Sequence, residues 1–224
     1  MQDTMFGRRT LLRMAGATAA GALAGCRADP PPPTPQASTL SDGTTASSGR
    51  TNVLLAYFSR AGWNYHNGGR KYLQTGNTEV LTGIIRDLIG CDVYRIEAVE
   101  AYSDDYDDTV ARNVREQNAD ARPAIANPLT SIAQYDTVLL ASGIWNVRAP
   151  MIMSTFVDSY DFTGKTVHPV TTHAMSGLGT TERDYAASCR NATIAGGLAV
   201  RGEDVAESRP AVQTWLRENG LLAR

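Results

Sequence analysis

Cysteine, lysine and long apolar runs are all scarce in this chain, and each shortage narrows what it can be. Three cysteines occur in 224 residues, without a C-x-x-C pair, and the three histidines (His66, His168 and His173) lie in separate segments. A zinc or iron–sulfur centre needs several such ligands at short spacing, so no metal is expected. Arginine outnumbers lysine 19 to 2, a bias of genomic composition rather than a functional signal. Beyond residue 25 there remain 18 basic and 22 acidic groups with no basic run, which argues against nucleic acid as a partner. No G-x-x-x-x-G-K-S/T and no G-x-G-x-x-G is present, so nucleoside triphosphates and dinucleotides are poor candidates.

What is present begins with an address. Residues 1–25 read as an export signal: Arg8-Arg9-Thr10-Leu11-Leu12-Arg13 is a twin-arginine motif, followed by a weakly apolar Ala/Gly stretch. That stretch is about half the roughly 20 residues needed to span a bilayer, so a permanent transmembrane helix is not expected. Leu23-Ala24-Gly25-Cys26 has the form of a lipobox, in which Cys26 becomes the lipid-modified first residue of the mature chain. The other reading is an ordinary soluble signal cut at a small residue. On the lipobox reading the protein is a bacterial membrane lipoprotein facing outside the cytoplasm. Residues 26–50 are rich in Pro, Ser and Thr and form a tether without the apolar content of a core. Twin-arginine signals are typical of proteins exported already folded, often around a cofactor.

Residues 51–224 make one domain. Strand signals at Asn52–Ser59, Val93–Ala98, Thr137–Ser142, Thr166–Thr172 and Ala192–Val200 alternate with helical periodicity at Thr78–Ile89, Asp104–Asn118, Ala149–Tyr160, Thr180–Cys189 and Val205–Asn219. Near-continuous apolar strands alternating with helices predict an α/β fold, a parallel sheet with helices on both faces. In such sheets ligands bind beyond the carboxyl ends of the strands.

The loop after the first strand carries Ser59-Arg60 and Thr75-Gly76-Asn77-Thr78 ahead of a helix. Backbone N–H groups at a helix start, with Ser and Thr hydroxyls, hold a phosphate. A loop lined by hydroxyls suits a monophosphate ester, and the phosphate of flavin mononucleotide (FMN) is the obvious one. Read alone, the string is also a plain turn with Thr78 as helix N-cap. After the third strand come Ile144-Trp145-Asn146, and after the fourth Thr172-His173 and Ser176-Gly177-Leu178-Gly179. An exposed indole and a small glycine-rich loop suit a flat ring; as simple structure they would be a packing residue and a turn.

Together these residues resemble the flavodoxin-like family, in its flavodoxin-type branch with an extended first loop. The matching pieces are Tyr57-Phe58-Ser59-Arg60, Gly76-Asn77-Thr78, Tyr102-Ser103-Asp104-Asp105-Tyr106, Arg122-Pro123, Tyr135-Asp136, Ile144-Trp145, Ala149-Pro150, Phe156 with Asp158, Gly164-Lys165 and Ser176-Gly177-Leu178-Gly179, in family order. The resemblance implies a three-layer sandwich with a five-stranded parallel sheet in order 2-1-3-4-5 and FMN at the strand ends. It also implies that Ser59, Gly76, Asn77 and Thr78 hold the phosphate, with Arg60 among the cofactor-binding residues. Ile144, Trp145 and Asn146 would border one side of the isoalloxazine, and Thr172, His173, Ser176, Gly177 and Gly179 the other. The chain departs from the family in an insertion, Ala61 to Thr75, and in Gly143 and Asn146, where many relatives have Pro and a second Trp.

The function expected is that of an FMN-binding redox protein, an electron carrier or a reductase of small acceptors such as quinones. Its redox donor and acceptor are not readable. The alternative is a binding module that has kept the fold and lost the flavin. Cys91 and Cys189 fall at opposite edges of a 2-1-3-4-5 sheet, about 19 Å apart at roughly 4.8 Å per strand, so no disulfide is expected between them.

Overall fold

The structure is a computed structural model and describes residues 52–223. The expected export signal, lipidation of Cys26 and tether all fall on residues outside those described. Among those described, no helix is long and apolar enough to cross a membrane, and no cluster of His, Cys, Asp or Glu could hold a metal ion.

The described residues form ten strands and five α-helices, in chain order. They are β1 (Val53–Tyr57), β2 (Gly62–His66), β3 (Gly69–Leu73), α1 (Asn77–Ile89), β4 (Asp92–Arg95) and β5 (Glu97–Ala98). Then come α2 (Tyr106–Asn118), β6 (Ile125–Ala126), β7 (Thr137–Gly143), α3 (Met151–Asp158) and β8 (Thr166–His173). The chain closes with α4 (Thr181–Ser188), β9 (Thr193–Ile194), β10 (Leu198–Arg201), a 3-10 helix over Gly202–Glu207, and α5 (Arg209–Glu218).

The main sheet runs β10-β8-β7-β1-β4, all parallel, which is the order 2-1-3-4-5. Every residue of β1 is buried, as expected of a strand covered on both faces. Its alternate side chains go to two cores. Leu54 and Ala56 join Leu140, Ile152, Met153 and Phe156 on one face. Leu55 and Tyr57 join Leu81, Ile85, Leu139, Val212 and Leu216 on the other. Complete burial of a Leu or Phe side chain stabilises by about 1.5–3 kcal/mol, so these clusters hold the sheet between its helical layers.

Four expectations are corrected. The insertion at 61–75 is not a plain loop but an antiparallel hairpin, β2–β3, turning at Asn67-Gly68 with φ of 47° and 82°. The fifth strand is broken into β9 and β10, both on β8, with Gly196-Gly197 between them; a Cβ on Gly197 would run into Leu178. The closing helix is a 3-10 turn followed by α5, with Ser208 and Pro210 at the junction. Thr78 is not the cap of α1 either: the N-cap is Gly76, and Thr78 lies inside the first turn.

Cys91 packs against one core and Cys189 belongs to the other, so the sheet itself stands between the two thiols. Cys189 is buried while Cys91 is half-buried.

Candidate functional site

A cleft of about 650 Å³ opens at the carboxyl ends of β1, β7 and β8. One end of it is the start of α1. The glycine at position 76 is demanded by close approach, since a Cβ there would collide with the Ser59 hydroxyl and the Arg60 carbonyl. Ser59 Oγ accepts the Glu79 N–H at 3.1 Å, so the hydroxyl that satisfies this helix start comes from the end of another element. The N–H groups of Asn77 and Thr78 find no acceptor among the described residues. Asn77, Thr78, Ser59 and Arg60 all line the cleft. The Thr78 hydroxyl is bonded to that of Thr172 at 2.7 Å, both buried, which joins α1 to the end of β8. Arg60 turns its guanidinium away into a structural task. It donates to the carbonyls of Ser103 (2.9 Å), Asp104 (3.2 Å) and Trp63, clamping the hairpin base to the loop before α2.

The middle of the cleft is built by two loops. Ile144 N–H donates to the Thr172 carbonyl at 2.9 Å, and Trp145 N–H to that of Arg148 at 2.9 Å. Gln117 Nε2 holds the Trp145 carbonyl at 3.2 Å. The half-buried indole stands edge-on to Phe58 (5.5 Å) and Tyr102 (5.1 Å) and lines the cleft. Asn146 adopts a φ of 66°, and its carbonyl accepts from Ser176 Oγ at 3.3 Å, tying the loops together. Gly179 is left-handed at φ 56°, and a Cβ on it would strike the Val147 carbonyl; it shapes the second loop without lining the cleft. Gly177 and Gly76 likewise do not line it.

His173, at the end of β8, lines the cleft, and its buried Nδ1 has no hydrogen-bond partner among the described residues. Burial, and then the nearby Arg201 charge, hold its pKa below the ordinary value, so the ring is neutral at pH 7.

Several lining residues were not anticipated. From the hairpin come Asn64 and Tyr65, and from one face of α2 come Tyr106, Thr109, Val110, Asn113 and Val114. Their spacing is the i, i+3, i+4, i+7, i+8 stripe of one helix face, a signal present in the sequence. Val110, Val114 and the 82% exposed Met175 give the mouth an apolar rim. Glu203, in the 3-10 helix, closes the far side. Its Oε1 accepts the Asn67 N–H from the hairpin tip at 2.9 Å. The hairpin is thus held at both ends: its base by Arg60, its tip by Glu203 and, one residue pair from the turn, by the Arg70–Asp107 ion pair at 2.6 Å. Burial pushes the Glu203 carboxyl up, but the Asn67 N–H, its own backbone N–H and Arg201 outweigh that and leave it below its ordinary range.

A helix start with two free N–H groups, hydroxyls beside it, an indole in the middle and orphaned polar atoms between form one continuous cleft. Those features fit a molecule with one phosphate, a polar chain and a flat ring.

The flavodoxin family's model matches residues 69–219, more than half of the chain, and the protein belongs to that family. Among solved structures it is similar to a candidate flavoprotein from Bacteroides uniformis, with 27% identity over 74% of this chain and 97% of that one, at a TM-score of 0.59. A second, from Bacteroides eggerthii, is 25% identical over 75% of this chain and 98% of the other, with a TM-score of 0.60. A Lactobacillus acidophilus flavoprotein, solved in complex with FMN, shares 14% identity over 72% of this chain and 99% of its own, at a TM-score of 0.51, and shares the fold. No curated protein matches the chain.

Proposed function

We propose that this protein binds FMN in the cleft and acts as a redox flavoprotein, tethered outside the cytoplasmic membrane through lipidated Cys26. The observation that carries the cofactor reading is the α1 start, where Asn77 and Thr78, whose N–H groups find no acceptor among the described residues, line a cleft bordered by Trp145. The FMN named with the Lactobacillus acidophilus structure is the ligand such a cleft would take. When bound, FMN supplies the electron chemistry. The chain's part is to hold the phosphate at the helix start, to orient the ring beside Trp145, and to limit water.

The acceptor we assign is a small apolar molecule of the quinone class rather than a protein. The hairpin braced between Arg60 and Glu203 adds Asn64 and Tyr65 to the cleft wall, and Val110, Val114 and Met175 offer an apolar rim. Anaerobically reduced protein should be reoxidised rapidly by a soluble benzoquinone and slowly by a protein acceptor. The opposite order makes it a carrier. The anchor is tested separately: Cys26→Ala should release the exported protein from the membrane fraction, and retention there would remove the lipid from the account.

A further inference from the structure

Exposed apolar side chains gather on one part of the described surface. Val110, Val114, Val147 and Met175 are 42%, 48%, 51% and 82% exposed, and they stand at the mouth of the cleft or on the loop that forms it. A single exposed valine needs no explanation, but a group around one opening does. Three segments bring the group together. Val110 and Val114 lie one turn apart on α2, and Gln117, nearly a turn further on, holds the Trp145 carbonyl. Val147 follows two residues after Trp145. Met175 precedes Ser176, whose hydroxyl donates to the Asn146 carbonyl.

Two features say what covers this face. The first is charge. Arg115 follows Val114 and Arg148 follows Val147; Arg115 is exposed with no ion pair among the described residues, and Arg148 reaches Asp184 only at 3.6 Å. The acids at the start of α2 are engaged elsewhere, Asp107 with Arg70 and Asp108 as acceptor from Ser103. Aliphatic tips bordered by arginines match a lipid surface, with the tips at the acyl boundary and the guanidinium groups among the phosphates.

The second feature is the length of chain ahead of the domain. The described residues begin at Asn52, just before β1 and so at the amino end of the sheet, the pole opposite the cleft. A domain of this size is about 40 Å across. Residues 27–51, which separate Cys26 from it, reach at most roughly 80 Å when fully extended. A tether longer than the domain is wide lets the far pole turn to the bilayer. It also holds the domain at an effective concentration on the order of millimolar, so a weak contact suffices.

We propose that this face docks on the lipid surface, so that the cleft opens toward the bilayer and takes its acceptor from there. The inference rests on the anchored, quinone-class reading above and gives that acceptor a source, because apolar quinones dissolve in the bilayer rather than in water.

The test anchors the mature chain without relying on lipidation: a histidine tag replaces Cys26 and binds nickel-chelating lipid in vesicles of phosphatidylcholine and phosphatidylglycerol. A polarity-sensitive dye is attached to Met175→Cys or, in a second protein, to Glu218→Cys. Both positions are exposed, while Cys91 and Cys189 react slowly at neutral pH. Glu218 marks the other pole, since its neighbour Asn219 adjoins Gly196 just ahead of β10. On vesicles the dye at 175 should shift to the blue and the dye at 218 should not. Adding Val110→Glu, Val114→Glu and Val147→Glu should abolish the shift at 175. No shift at 175, an equal or larger shift at 218, or a shift that survives the three glutamates overturns the docking face. A shift at 175 that grows with protein concentration in the absence of vesicles also overturns it and assigns the face to a second copy of the chain. Should the triple variant fail to fold, the comparison of 175 with 218 decides alone. The dye reads no electron transfer, so reoxidation by soluble benzoquinone without vesicles judges the acceptor reading separately.

Discussion

Replacing Thr78 with valine separates a structural hydroxyl from a ligand-binding one. Thr78 and Thr172 are 3% and 6% exposed, and their hydroxyls lie 2.7 Å apart. Valine keeps the volume and the β-branching, so packing around Thr78 changes little. What changes is Thr172 Oγ1, left buried without that partner, which costs about 1–3 kcal/mol. Urea unfolding of the ligand-free protein should therefore show Thr78→Val destabilised by that amount. Thr78→Val with Thr172→Val removes both hydroxyls and should recover most of the loss, so the cycle reports a coupling between the sites. With ligand, the same Thr78 variant should bind FMN about tenfold more weakly while riboflavin, lacking the phosphate, is nearly unaffected. A Thr78→Val protein as stable as the wild type, or a double variant no better than the sum of the singles, refutes the buried bond. Equal losses for FMN and riboflavin refute the phosphate role.

Trp145→Ala removes the edge-on contacts with Phe58 and Tyr102 and should cost about 2 kcal/mol, below the range for a fully buried aromatic. It should also weaken flavin fluorescence quenching; unchanged quenching places the indole away from the ring. For Glu203 the folded pKa is depressed, so its contribution is complete above the ordinary value of 4.5 and is lost as pH falls through the lower folded value. Acid unfolding of Glu203→Gln should lack that component, and identical acid profiles contradict it. Burial raises the thiol of Cys91 to about 11 and that of Cys189 to about 12, so neither is a thiolate at neutral pH. Alkylation should be slow until the protein is unfolded, and non-reducing peptide mapping of the air-exposed protein should find no Cys91–Cys189 bridge.

The strands of the main sheet and the α1 start were legible because each rests on local chemistry, whereas the strand order came from the family resemblance. A strand buried on both faces reads as an apolar run, as Val53–Tyr57 does, and a glycine that must approach a neighbouring backbone, Gly76, stands just before its helix. The hairpin carried a readable signal too: Trp63 and Tyr65 alternate with Asn64 and His66 ahead of Asn67-Gly68, a two-residue turn sequence. That it arches from Arg60 to Glu203 was not legible. Asn67 and Glu203 are 136 positions apart, and their bond depends on where β10 ends relative to the hairpin tip. The face of α2 toward the cleft was hidden for a related reason. Periodicity marks Tyr106, Val110 and Asn113 as one stripe, but only tertiary packing decides that the stripe meets a cleft rather than a core.

The most direct measurement is of the cofactor itself. Protein expressed in the cytoplasm without residues 1–25, purified and then heat-denatured, should release flavin that chromatography identifies as FMN, one per chain. Release of FAD, or no flavin even after incubation with excess FMN, contradicts the account at its centre.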